Sequence, residues 1–234
     1  MIETAAIFLA AGNGSRLNCI DVPKAMLMVH GRPIITDGLK AVIESGFTRE
    51  SSAVVVGHLG NMLDKYCRGD FKIAIQDKQD GNAGALSLGL SLFANVRNIL
   101  VVQGDDCLGL TNQDVGHLIR FHESHNYDFS LRLVDVPDPK IHRYSFTVDS
   151  DGRVVERTNV ENRSYVSGHV MGVYCFKKNF LGQNLSLIKE INGEKGLTSL
   201  IPMAMDNKSL GAIISNKKWW GINTLETLMQ ARQK

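Results

Sequence analysis

The sequence predicts an α/β fold, with a mostly parallel mixed sheet flanked by helices and a small strand-rich lobe in its second half. Three observations predict it. Apolar, strand-like runs alternate with helix-like segments through the first half of the chain. Those runs are continuous rather than apolar at every other position, as strands covered on both faces must be. The first of them, Ala5-Ala6-Ile7-Phe8-Leu9, delivers the chain straight into a loop of small residues.

In order along the chain, the strand Ile7–Ala11 is followed by a helix over about Pro33 to Ser45, where Ile34, Ile35, Leu39, Val42 and Ile43 fall at helical spacing. Pro33 in its first turn and Gly46 just past its end are start and stop signals. Ala53–Val56 reads as a strand, Gly60–Tyr66 as a short helix, and Phe71–Ile75 as a strand. Ala83–Phe93 is a helix and Ile99–Val102 a strand. After Gly104-Asp105-Asp106 the rhythm changes. Val115–Glu123 is a helix and Phe129–Val134 a strand. From Arg143 to Phe176 the pattern is strand-rich, with turn signals at Asp151-Gly152 and near Asn162. The chain returns to helix at Leu197–Met205, strand at Gly211–Ile214, and a closing helix over Thr224–Gln233.

With 234 residues, the chain can bury a substantial single core. Its 44% hydrophobic and 21% charged content is that of a soluble globular protein, and a net charge of +2 without a basic face interleaved with aromatics argues against a nucleic-acid partner. Cys19, Cys67, Cys107 and Cys175 show no metal spacing and suit a reducing cytoplasm as small apolar filler. The short apolar run at the N-terminus carries Glu3 and is no signal peptide, and no stretch has the length of a membrane span. The expectation is a cytoplasmic protein without a membrane partner.

In the first loop, Leu9, Ala10, Ala11, Gly12, Asn13 and Gly14 leave backbone N–H groups open to a polyphosphate. Arg16 and Lys24 add two positive charges, the arginine able to grip phosphate oxygens bidentately. Other glycine loops fit less well. Gly12-Asn13-Gly14-Ser15-Arg16-Leu17 ends in leucine where a dinucleotide loop has glycine or alanine, Val54-Val55-Val56 runs into Gly57-His58 without an acidic residue, and Gly-Lys-Ser/Thr is absent. The plain structural alternative is a strand–turn–helix connection whose glycines serve backbone geometry alone.

Leu-Ala-Ala-Gly-x-Gly-x-Arg followed by Pro23-Lys24 resembles the signature of the sugar-phosphate nucleotidyltransferases, which make nucleotide sugars and related activated alcohols from an NTP and a phosphate ester. The resemblance implies a Rossmann-like (GT-A-like) core. It also implies a single domain over 1–234, with an NTP-binding part to about 128, an acceptor-binding lobe over about 129–180, and a return to the core over 181–234. Three later stretches fall in the family's order. Gln76 to Ala85 resembles the stretch that reads the base in uridylyl- and thymidylyltransferases, which implies that the Gln76 amide and Gly81 backbone pair with a pyrimidine edge, with Asn82 capping the helix that follows. Gln103-Gly104-Asp105 resembles x-Gly-Asp, which implies that Asp105 binds catalytic Mg²⁺; Asp106 reads as a solvated or helix-capping carboxylate. Trp219-Trp220-Gly221-Ile222-Asn223-Thr224 resembles the family's closing motif, which implies Asn223 as the second metal ligand, against the alternative that Asn223 or Thr224 simply caps the last helix.

The acceptor side matches with departures. Tyr144-Ser145 stands where the family has Tyr-Gly, Glu161 is the candidate for a sugar-binding glutamate with Glu156 as its rival, and Val170 replaces a sugar-binding asparagine beside His169. His117, His122 and His125 read as a solvated helix face.

The resemblance implies an Mg²⁺-dependent transfer of NMP from UTP or dTTP to a sugar 1-phosphate, with Arg16, Lys24 and Asp105 as the catalytic groups. The alternatives are a cytidylyltransferase acting on an alcohol or sugar phosphate, a glycosyltransferase using Asp105-Asp106, and a non-catalytic nucleotide sensor. No acyltransferase repeat follows the last helix, so a stand-alone transferase is expected, and a homo-oligomer is compatible with the sequence.

Overall fold

The computed structural model describes residues 3–14, 17, 21–78, 80–134, 144–159, 169–190, 195–215 and 221–233; at Tyr144, Ser145, Asn159 and His169 it describes the backbone alone. The chain opens with β1 (Thr4–Ala10), a 3-10 turn at Lys24–Met26, and the paired short strands β2 (Met28–Val29) and β3 (Arg32–Pro33). Next come α1 (Ile35–Glu44), β4 (Ser52–Val56), α2 (Gly60–Cys67), β5 (Lys72–Ile75), α3 (Asn82–Ser91), β6 (Asn98–Gln103), α4 (Asn112–His125) and β7 (Phe129–Val134). The second half contributes β8 (Tyr144–Val148), β9 (Val154–Asn159), β10 (His169–Lys177), α5 (Lys178–Asn184), α6 (Leu200–Asp206), β11 (Leu210–Ser215) and α7 (Leu225–Arg232).

One seven-stranded sheet organises these elements in the order β11-β7-β10-β6-β1-β4-β5. β1 pairs in parallel with both β4 and β6, β4 with β5, and β7 with β11. β10 alone opposes its neighbours, β6 and β7, so the sheet is mixed and mostly parallel as expected. The continuous apolar strands have a direct physical purpose. Ala5, Ile7 and Leu9 of β1 pack into a core with α3, α5 and α6, while Ala6, Phe8 and Ala10 pack into a second core with α1, α2 and α4. Both faces exclude water, so no polar face is tolerated.

The tertiary structure corrects several sequence expectations. Pro33 does not begin a helix. His30 and Gly31, both with positive φ (50° and 77°), form a tight turn that pairs Arg32–Pro33 with Met28–Val29, and α1 starts only at Ile35. The predicted helix over Leu197–Met205 is a 3-10 turn (Leu197–Ser199) running into α6, with Pro202 in the helix's first turn where a missing N–H is harmless. α5 was not anticipated. Within the strand-rich stretch β10 joins the central sheet beside β7, while β8 and β9 pair separately. Among the described residues no helix is long and apolar enough to cross a membrane.

Candidate active site

The four parallel strands β6-β1-β4-β5 end at one edge of the sheet, which brings together the loops after β1, β5 and β6. From β1 the chain fills the β4 and β5 side before returning to place β6 on the other side. Loops after β1 and β6 therefore part at a switch point, and open α/β sheets bind ligands in such crevices. A pocket of about 270 Å³ lies there. Leu9 and Ala10 line it from the end of β1, Gly12, Asn13 and Gly14 from the loop after it, Gln103 and Asp105 from the end of β6, and Asn82 from the first residue of α3. Lys24 and Asn223 complete its polar wall.

Small residues shape this pocket in two ways. A Cβ on Gly12 would meet nothing within 4 Å, so backbone faces open space on that side, and Gly14 adopts φ 64°, a left-handed turn that brings Leu17 N to within 2.9 Å of its carbonyl. At Gly104 a Cβ would stand 3.0 Å from the Ala10 Cβ, so glycine lets the two loops close on each other.

The centre of the site is one ammonium group. Lys24 Nζ donates to Asp105 Oδ2 at 2.5 Å and to Asn223 Oδ1 at 2.9 Å. Asn223 thus reaches this cation from 199 positions further along the chain. A separate small core holds them in place. Ile222, Leu228 and Ala231 pack on Val29 and Ile34, and Arg232 Nε donates to the Met28 carbonyl at 2.9 Å. Thr224 caps α7 in a capping box with Thr227, which leaves the Asn223 side chain to the site. Thr224, rather than Asn223, therefore caps the last helix.

Two converging oxygens, one carboxylate and one amide, are also what a hard cation such as Mg²⁺ accepts. No group of three or more His, Cys, Asp and Glu suited to a metal exists among the described residues. Asp105 and Asn223 are the residues that fit one, with phosphate oxygens and water supplying the rest.

Gln76 and Gly81 stand outside the pocket lining. Gln76 is 6% exposed, and its Nε2 donates to Asp80 Oδ1 at 2.5 Å and to the Gly81 carbonyl at 3.2 Å. Gly81, at φ 87°, precedes α3, and a Cβ there would stand 2.6 Å from Lys195 N. Asn82 is not a side-chain cap, because Gly81 occupies that position and no side chain bonds there.

Asp106 does not cap α4. The cap of α4 is Thr111, boxed with Asp114, and Asp106 faces Gly172 of β10, where an added Cβ would come within 2.7 Å of it. His122 is not on a solvated face. It is 1% exposed with Nδ1 2.9 Å from Ser130 Oγ, and burial, with a smaller contribution from the Lys177 charge, lowers its pKa to about 4. Cys107 is buried filler beneath the site, its thiol pushed well above its usual range by burial.

Gln103 was missed as a site residue, although its place before Gly104-Asp105 at a strand end is the signal. Its Nε2 reaches the hydroxyl of buried Tyr174 at 3.4 Å. Burial, then the Asp106 and Asp105 charges, raise the pKa of Tyr174, so it stays a neutral prop under the pocket. Arg16, Glu161 and the Trp219-Trp220 pair lie outside the described residues, as does Cys19. Tyr144 and Ser145 open β8, and His169 opens β10 opposite Val134.

A family model described as nucleotidyl transferase matches residues 5–234, and the chain belongs to that family. It is 28% identical over 240 residues to the bifunctional protein GlmU of Syntrophomonas wolfei, covering 98% of this chain and 52% of that one. The corresponding protein of Thermosipho africanus is 27% identical over 189 residues, 81% and 41% of the two chains. The chain spans about half the length of the curated relatives it matches. A Bacillus anthracis structure described as a glucose-1-phosphate thymidylyltransferase in complex with sucrose has the same fold, with a TM-score of 0.79 at 20% identity over 98% of this chain and 94% of that one.

Proposed function

We propose that this chain transfers NMP from UTP or dTTP to a sugar 1-phosphate, giving an NDP-sugar and pyrophosphate. The observation that carries the proposal is the convergence of Lys24, Asp105 and Asn223 on one point beside the open glycine loop. An oxygen of the acceptor phosphate attacks the α-phosphorus of the NTP, a new P–O bond forms, and the bond to the β-phosphate oxygen breaks to release pyrophosphate. The nucleophile arrives already ionised, so no general base is needed. Catalysis is then positioning and charge neutralisation.

Backbone N–H groups from Ala10 to Gly14 would hold the triphosphate, with Arg16 at its outer oxygens. Lys24 would move its positive charge onto the phosphates once substrate competes for it. Asp105 and Asn223 would hold Mg²⁺, which would supply further charge neutralisation. Glu161, Tyr144, Ser145 and His169 would face the acceptor. With serine at 145 and valine at 170, the common N-acetylhexosamine phosphates are poor first guesses for it. Cytoplasmic residence and self-association belong to the same proposal.

The test is pyrophosphate release with Mg²⁺ across UTP, dTTP, CTP, ATP and GTP, each against sugar 1-phosphates and alcohol phosphates. Acceptor-dependent release with UTP or dTTP is the expected result. Release with CTP alone would make the chain a cytidylyltransferase, and NTP binding without any product would make it a sensor.

A further inference from the structure

The loop between β5 and α3 holds a side-chain pair that the transfer chemistry does not use. Gln76 donates through Nε2 to Asp80 Oδ1 at 2.5 Å and to the Gly81 carbonyl at 3.2 Å. Both partners only accept, so the amide has one permitted orientation: nitrogen toward the loop, oxygen away from it. No donor among the described residues reaches the Gln76 Oε1. The Asp80 carboxylate is itself wedged against the first turn of α3, where a Cβ on Gly84 would overlap it. Glycine at 84 is the space in which the carboxylate sits.

We propose that Asp80 is a positioning residue for nucleobase choice: by holding the Gln76 nitrogen inward it presents only an acceptor oxygen to the base, and so favours uracil or thymine over cytosine. The proposal rests on the proposed use of UTP or dTTP and on Gln76 meeting the base, as the sequence resemblance implies. Uracil and thymine offer an N3–H donor, which an acceptor oxygen satisfies. Cytosine offers an N3 lone pair, which the same oxygen repels and which only a flipped amide could meet. A site built to accept rejects a ligand lacking the donor, because its buried oxygen is left unpaired. Without Asp80 the amide keeps only the longer bond to Gly81 and turns over more freely.

The test measures dissociation constants of UTP, dTTP and CTP by calorimetry, so that no acceptor need be known. The wild type is expected to prefer UTP and dTTP over CTP. Asp80→Ala should reduce that preference roughly ten-fold, the size of one hydrogen bond to a base edge. Asp80→Asn, which keeps an acceptor oxygen, should restore it. Gly84→Ala, which evicts the carboxylate without altering it, should act like Asp80→Ala and stands as a second arm if that variant folds poorly. A preference unchanged in both Asp80→Ala and Gly84→Ala, yet abolished in Gln76→Ala, would overturn the role of Asp80 and leave that of Gln76 intact. A wild type that binds CTP as well as UTP would overturn the base assignment together with it.

Discussion

The two halves of the central sheet put their polar residues in opposite places. In β6-β1-β4-β5 the strand interiors are apolar and water-accessible polar groups come just after the strands end, at Asn13 and Asp105. In β10-β7-β11 polar groups lie within or at the end of the strands and are buried: Ser130 and Arg132 on β7, Ser215 on β11, with Asp114 and His122 facing them from α4. Arg132 donates to Asp114 at 2.6 Å and to Ser215 at 2.7 Å. The difference separates two kinds of cost. Groups at strand ends keep access to water and substrate and can exchange partners during a reaction. Groups inside the sheet have lost water, so each depends on fixed neighbours.

Breaking the buried pair should give the largest effect. Asp114→Ala leaves the buried Arg132 charge without its carboxylate and breaks the capping box of α4, and should destabilise the fold by about 3–5 kcal/mol, measured by denaturant unfolding. The folded fraction should keep its turnover; a variant of wild-type stability would erase the contrast between the halves.

Acid sharpens the same contrast. The folded pKa of His122 is about 4 against an ordinary value near 6.5. Between those limits the unfolded chain takes a proton that the folded chain refuses, so stability is full above about pH 6.5 and falls as pH drops toward 4. At about 1.4 kcal/mol per unit over about 2.5 units, the loss attributable to this ring is about 3 kcal/mol. In His122→Gln, unfolding free energies followed across that range should lack this component, and an identical pH profile would show the ring is not its source.

The strand-end half should respond the other way. Asp105→Ala should lower kcat by at least ~10²-fold, about 2.7 kcal/mol of transition-state stabilisation, while leaving thermal stability little changed. Unchanged turnover at saturating Mg²⁺ would sink its assignment. The smallest effect falls on the seam that joins Lys24 to Asn223. Ile222 is fully buried there, and Ile222→Val should cost about 1 kcal/mol and raise KM for NTP more than it alters unfolding elsewhere in the chain. A steady-state comparison of KM and kcat would show whether the small core serves the site.

Much of the strand-end half was legible in the sequence because its signals are local. A continuous apolar run names a buried strand, small residues after it name a loop open to phosphate, and Gly104-Asp105 names a carboxylate at a strand end. β7 was also placed correctly over Phe129–Val134, but its membership of the main sheet was not. Pairing partners are chosen by distant strands, and nothing within the segment records them. The turn at His30-Gly31 was legible in principle, since Gly31 supplies one of its two positive φ angles, yet the helical spacing from Ile34 onward made Pro33 read as a helix start.

The sequence by itself determined the alternation of strands and helices and the small-residue loop after β1, and it marked Lys24, Asp105 and Asn223 as candidate groups. Only the tertiary structure decided that those three meet at one point, that His122 lies buried against Ser130 rather than in water, and that the Gln76 amide is turned by Asp80. The physical reason is common to all three. Residue type and periodicity are set by the backbone's nearest neighbours, whereas burial, charge pairing and amide orientation are set by whichever side chains the packed sheet brings across from far along the chain.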